Sequence, residues 1–239
     1  MNAKRSILAL SAGIALVAFL SGCATGSQAP TSSASPDSGG SGEAIDVDAA
    51  WLNGGTMIGL VTYGSSSCVP TAGDVELLSD GTLVVELVEP EADTACTRDM
   101  APRVTLVDVP EGVDPSNELE IAVTGEGYSG DADLEGVTVG AAPEEYGPSA
   151  GWIGADDSLI ILTWGSSTCV PVIETAEPTG PTEVTVTFAT PPEDQVCTMD
   201  MAPRGTLATV TGLEGDADVE LVLAGAGFEG ARVPVLGEN

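Results

Sequence analysis

Residues 51–103 and 152–204 are one pattern written twice, and any fold must accommodate both copies. A shift of 101 positions aligns Trp51 with Trp152, Thr62 with Thr163, Gly64 with Gly165, Cys68 with Cys169 and Pro70 with Pro171, without a gap. The same shift lays "CTRDMAPR" (Cys96 to Arg103) on "CTMDMAPR" (Cys197 to Arg204). Further on, "LEIAVTGEGY" from Leu119 matches "VELVLAGAGF" from Val219 with a shift of 100, so one residue has been lost between them. Self-similarity at a fixed period means that one structural unit is built twice. About 100 residues per copy is an ordinary size for a domain.

Each copy reads as strands. "TMIGLVTY" (Thr56 to Tyr63) and "SLIILTW" (Ser158 to Trp164) are short and β-rich, and "TLVVELVE" from Thr82 and "TEVTVTFA" from Thr182 alternate in part. "RVTLVDV" and "ELEIAV" follow in the first copy. Asn53-Gly54-Gly55 suits a hairpin turn, because glycine tolerates positive φ. Beyond the N-terminal segment no stretch has a helical period, and there is no room for the crossover helices of a parallel α/β sheet. The pattern predicts an all-β protein of two tandem small β-sandwich or barrel-like domains. The first spans residues 45–140, a linker follows over 141–151, and the second spans 152–239. Aromatic residues are only 4% of the chain, so each core must be made mainly of Val, Leu and Ile.

The chain opens "MNAKRSILALSAGIALVAFLSGCATG". Lys4 and Arg5 precede an apolar run from Ile7 to Leu20, which suits a signal peptide over residues 1–22 and is short for a membrane span. The run ends in Leu20-Ser21-Gly22-Cys23, which resembles the bacterial lipobox. That resemblance, confined to the N-terminus, implies cleavage before Cys23, a diacylglyceryl group on its thiol, and an extracytoplasmic protein anchored to the cell membrane. Two or more acyl chains hold a protein on a membrane stably where one does not. Residues 23–44, rich in Ser, Gly and Pro, are expected to form a disordered tether. The composition and the repeated motifs resemble those of uncharacterised actinobacterial envelope lipoproteins.

The chain carries a net charge of −31, and loss of residues 1–22 removes Lys4 and Arg5 but no acid, giving −33. Downstream there is no lysine, the whole chain has no histidine, and the remaining basic side chains are Arg98, Arg103, Arg204 and Arg232. Such a surface repels nucleic acid and anionic lipid headgroups.

With Cys23 set aside for lipid, four cysteines remain and allow three pairings. Only Cys68–Cys96 with Cys169–Cys197 gives each copy the same closed module, and an exported protein meets an oxidising compartment. Neither a C-x-x-C nor a closely spaced zinc-ligand set is present, so no metal site is expected. The serines beside the first cysteine of each copy resemble a nucleophile loop. Without a histidine anywhere, or a lysine in the mature chain, they lack the usual base, and they read instead as turn residues that satisfy backbone N–H groups. Asp99 with Arg103, and Asp200 with Arg204, are expected to form ion pairs bracing the disulfides; the competing reading is a shared binding spot with Met100 and Met201 as adaptable apolar contacts. "GDADLEG" at Gly130 and "GDADVEL" at Gly215 place aspartates two apart, as calcium loops do, but lack the rest of such a loop and read as solvated turns.

These features lead to the expectation of a non-enzymatic envelope module, without a cofactor, that binds a protein or cell-wall partner. The alternatives are a carboxylate-based or metal-dependent extracellular hydrolase, for which acids abound, and a spacer with no ligand.

Overall fold

The structure is a computed structural model, described for residues 43–140, 144–154, 157–213 and 218–238. The signal peptide, Cys23 and most of the expected tether lie outside these residues, as do Gly215, Asp216 and Ala217 of the acidic stretch at Gly215.

The first copy contains β1 (Glu43–Ala44), β2 (Asp48–Leu52), β3 (Met57–Gly64), β4 (Thr71–Leu77), β5 (Leu83–Val88), β6 (Ala101–Asp108), β7 (Leu119–Gly125) and β8 (Tyr128–Leu134). The second contains β9 (Ser149–Trp152), β10 (Ser158–Gly165), β11 (Ile173–Gly180), β12 (Glu183–Phe188), β13 (Ala202–Thr209), β14 (Glu220–Gly225) and β15 (Phe228–Leu236). The protein is all-β; among the described residues the one helical element is a 3-10 turn at Asn53–Gly55. That turn joins β2 to β3, and Asn53, Gly54 and Gly55 all have positive φ, as the expected hairpin requires.

Each copy has an inner and an outer sheet, and the chain crosses between them repeatedly. In the first copy it runs through inner β2 and β3, outer β4 and β5, inner β6, then outer β7 and β8. The second copy repeats this course. Two turns per copy make a β-solenoid of about four turns rather than two separate sandwich domains. Successive turns meet in the outer sheets as parallel pairs, with Val85 beside Val123 and Val186 beside Leu223. In the second copy β15 also pairs with β9, fusing inner and outer strands into one seven-stranded sheet.

The expected division into independent domains fails because the inner strands have no solvated face. Met57 to Thr62 of β3 are all buried, as are Ser158 to Thr163 of β10. Alternate residues explain this. Ile58 and Leu60 join Trp51, Val85 and Ile121 in the first core, and Leu159 and Ile161 join Val186 and Leu221 in the second. The intervening Met57, Val61, Ile160 and Leu162 meet one another in a third core between the copies. That core is fitted by paired exchanges of size. Gly59 and Ile160 are equivalent positions, as are Val104 and Gly205. A Cβ on Gly59 would lie 2.5 Å from Ile160 Cδ1, and a Cβ on Gly205 would lie 2.5 Å from Val104 Cγ1. Each glycine is a hole for the large residue at the same position of the other copy.

The boundaries shift accordingly. Ser149, Ala150 and Gly151, expected in the linker, are buried on β9, where Gly151 lies against the Trp51 carbonyl. Glu43 and Ala44, expected to end the tether, pair in parallel with Tyr128 and Ser129. Asp131 and Asp133 of the stretch at Gly130 lie on β8 with exposed side chains, not in a turn. Pro102 and Pro203 lie on β6 and β13, the end strands of their sheets, where a missing N–H is tolerated.

A shared core predicts shared unfolding. Both copies should melt in one calorimetric transition, and Ile160→Ala, which leaves a cavity opposite Gly59, should lower the stability of the whole by about 2–5 kcal/mol. Two separated transitions, with only the later one shifted, would contradict this.

Candidate functional site

Gly64 ends β3 and leads into Ser65-Ser66-Ser67-Cys68, where the Cys68 N–H donates to the Ser65 carbonyl at 3.2 Å. Cys68 is bonded to Cys96 and Cys169 to Cys197, the pairing expected, and each bridge spans 28 positions. The hydroxyls serve this loop. Thr97 Oγ1 lies 2.8 Å from Ser65 Oγ and 3.3 Å from both Ser66 Oγ and Ser67 Oγ, and the Thr97 N–H donates to Ser67 Oγ at 3.0 Å. In the second copy Ser166 Oγ lies 2.8 Å from Thr198 Oγ1, and the Thr198 N–H donates to Thr168 Oγ1 at 3.1 Å. The serine-rich run therefore ties the two limbs of each disulfide loop together.

Asp99 and Asp200 complete the ties. The Ser66 N–H donates to Asp99 and the Ser167 N–H to Asp200, each at 3.1 Å. Hydrogen bonds from Ser66 and Thr97 hold the Asp99 carboxyl well below the usual carboxylate range, and Ser167 and Thr198 do the same for Asp200. Thr198 Oγ1 itself donates to Asp200.

The expected ion pairs do not form: among the described residues neither Asp99 with Arg103 nor Asp200 with Arg204 comes within ion-pair distance. The arginines act through backbone carbonyls. Arg103 Nη1 donates to the Cys68 carbonyl at 2.8 Å, and Arg204 Nη1 donates to the Cys169 carbonyl at 2.9 Å. Arg204 Nη2 also donates to the Trp164 carbonyl at 2.8 Å. Each guanidinium lies against the glycine before the serines. A Cβ at Gly64 would be 2.6 Å from Arg103 Cζ, and one at Gly165 would be 2.9 Å from Arg204 Cζ. The repeated glycine, serines, cysteine and arginine thus form one brace.

Residues outside the motif complete the first brace. Glu89 lies 3.5 Å from Arg103 Nη2 and accepts the Tyr128 hydroxyl at 3.1 Å. Burial, then the Glu89 charge, push the Tyr128 phenol up to about 12, with Arg103 opposing. Neither Glu89 nor Tyr128 stood out in the sequence, because the repeat does not keep them: Thr190 and Phe228 take their places in the second copy.

Two hollows adjoin the loops. A groove of about 1380 Å³ runs between the copies and is lined by matching residues, among them Val69 and Val170, and Arg103 and Arg204. A smaller pocket of about 400 Å³ lies beside the second disulfide, with Arg204, Pro191, Pro192 and Phe228 in its wall. The most exposed large apolar side chains of the described protein also cluster at these loops: Val196 and Met199 are 90% exposed or more, followed by Met100, Val172 and Met201. Among the described residues no three potential metal-ligating side chains come together. The chain matches no family model, no curated protein and no solved structure.

The loop chemistry has two measurable consequences. Replacing Cys169 and Cys197 by serine should cost about 3–4 kcal/mol, from the entropy of the reopened loop, seen as a lower denaturant midpoint. Because their folded-state values are depressed, Asp99 and Asp200 contribute stability that is fully present above the unfolded carboxylate range and lost only as pH falls through the depressed values. Carboxyl carbon NMR should show both still ionised where exposed aspartates have been protonated.

Proposed function

We propose that this chain is an extracytoplasmic lipoprotein, held to the cell membrane through Cys23, that binds a protein or cell-wall partner without catalysing a reaction. The observation that carries the binding reading is the placement of Met100, Val172, Val196, Met199 and Met201 at the disulfide loops. Apolar side chains gathered and exposed in this way favour an interaction surface, and methionine adapts its shape to a partner. The stapled brace beneath them limits the entropy lost on binding. Two disulfides suit an oxidising compartment, in keeping with the lipobox-like segment at Cys23. The loop serines support no nucleophile assignment, since their hydroxyls are engaged around Thr97 and Thr198.

Retention of the purified chain on isolated cell envelopes tests this reading. The combined Met100→Ser, Met199→Ser, Met201→Ser variant should lose retention while its melting temperature stays close to that of the parent, because exposed substitutions change stability by about 0.5 kcal/mol or less. Full retention by the variant would sink the assignment of the surface. Separately, Cys23→Ala should abolish incorporation of labelled fatty acid and release the chain from the membrane fraction.

A further inference from the structure

The copies differ most informatively around one side chain. In the first copy Arg103 is answered by Glu89, which is itself held by the Tyr128 hydroxyl. In the second, Arg204 keeps the bond to the Cys169 carbonyl and its place against Gly165, while its Nη2, the atom that faces Glu89 in the first copy, donates to the Trp164 carbonyl. Its counter-ion is gone: Thr190 replaces Glu89 and Phe228 replaces Tyr128. Among the described residues Arg204 makes no ion pair. It feels the charge of Asp200, but that carboxylate accepts hydrogen bonds from Ser167 and Thr198. Arg204 Nε is buried without an acceptor, as Arg103 Nε also is. Of five guanidinium hydrogens, two are taken by carbonyls, which leaves donors for a further acceptor.

The difference extends around the pocket. Three of its lining residues are Thr190, Pro192 and Ala226. The equivalent positions of the first copy are Glu89, Glu91 and Glu126. In a chain with 37 acidic residues, the second copy has none of the three glutamates of the first at the positions around this pocket-lining arginine. The rest of the wall includes Ser166 and Gln195 but is mostly apolar, with Phe228 packed on Phe188 at 5.0 Å between ring centres and Pro191 and Pro192 nearby. A partly buried cation without a counter-charge is costly, and arginine is the side chain best shaped to receive a carboxylate through two hydrogen bonds. A cavity of about 400 Å³ is of the size that takes small ligands.

We propose that the pocket beside the second disulfide binds a carboxylate carried on an apolar body. The carboxylate takes, against Arg204, the place that Glu89 takes against Arg103, and the apolar body lies on Phe228, Pro191 and Pro192. The first copy is the same site closed by its own glutamate. This gives the binding reading above a ligand class, and rests on it.

The test is a titration of the isotope-labelled full chain in detergent with benzoate, with acetyl-leucyl-leucine and with the amide of that peptide, read at the Arg204 Nε–H and Thr190 amide resonances. The expected result is a saturable shift with a carboxylate probe and none with the amide. Response to benzoate assigns a small acid; response to the peptide acid alone assigns a chain terminus. The Thr190→Glu, Phe228→Tyr double variant rebuilds the arrangement that the first copy already folds with, and should weaken binding by about tenfold or more, as expected for loss of a charge-assisted hydrogen-bond pair. Arg204→Gln should abolish binding, and the rebuilt variant keeps the test decisive if that substitution unfolds the loop. The proposal is overturned if no carboxylate saturates the wild-type site, or if the rebuilt variant binds as the parent does. Retention on envelopes is measured alongside: if carboxylate binding fails while retention persists, only the ligand assignment falls.

Discussion

The described residues are arranged around two strands that are buried on both faces. Met57 to Thr62 and Ser158 to Thr163 each turn one set of side chains toward their own outer sheet and the other set toward the opposite copy. A strand whose two faces are both apolar cannot rest at the surface of a sandwich, because half of it would stay in water. The copies satisfy it by packing their inner sheets together, so the three cores lie in series. The outer sheets can then be acidic on their solvent faces, since the apolar area needed for folding is collected in the middle.

That central packing also explains why the copies are not identical. Two equal surfaces meeting at equivalent positions would set isoleucine on isoleucine at one place and glycine on glycine at another. The first arrangement overpacks and the second leaves a void, and each is destabilising. Gly59 against Ile160, with Val104 against Gly205, resolves both conflicts with one exchange of size at each position. The described residues accordingly form one body whose halves share a core, and a half alone would expose its inner face.

Much of this was legible in the residues. The duplication, the β class, the strands β3, β5, β6, β7, β10 and β12, and the turn at Asn53 follow from periodicity and glycine chemistry. The disulfide pairing follows from the demand that both copies close alike. The association of the copies was less legible, although the signal was present: "MIGLVT" and "SLIILT" are continuous rather than alternating, which is the mark of a strand buried on both sides. β8 was hidden because the aspartates at 131 and 133 read as turn residues, whereas their spacing of two places both on the solvent face of a strand. The Asp–Arg pairs were inferred from proximity in the chain. A strand carries Arg103 away from Asp99, and short-range donors in the serine loop satisfy the carboxylate first. Glu89 could be found only by asking which residues the repeat fails to preserve.

The difference between the copies is concentrated at the pocket beside the second disulfide. The brace of glycine, serines, disulfide and arginine holds a guanidinium in a fixed place in both copies, because the disulfide-loop carbonyl it serves must be satisfied in both. In the first copy the surplus charge is met internally by Glu89. The second copy has Thr190 at that position and Phe228 at the position of Tyr128, so it lacks the internal anion, and its guanidinium is anchored by the Cys169 and Trp164 carbonyls. The arginine keeps its structural duty and gains free donors facing a pocket with an apolar wall. A rigidly held cation beside apolar surface is the pre-organised half of a carboxylate-binding pair, and without the three glutamates of the first copy no side chain at those positions competes for it or repels its ligand.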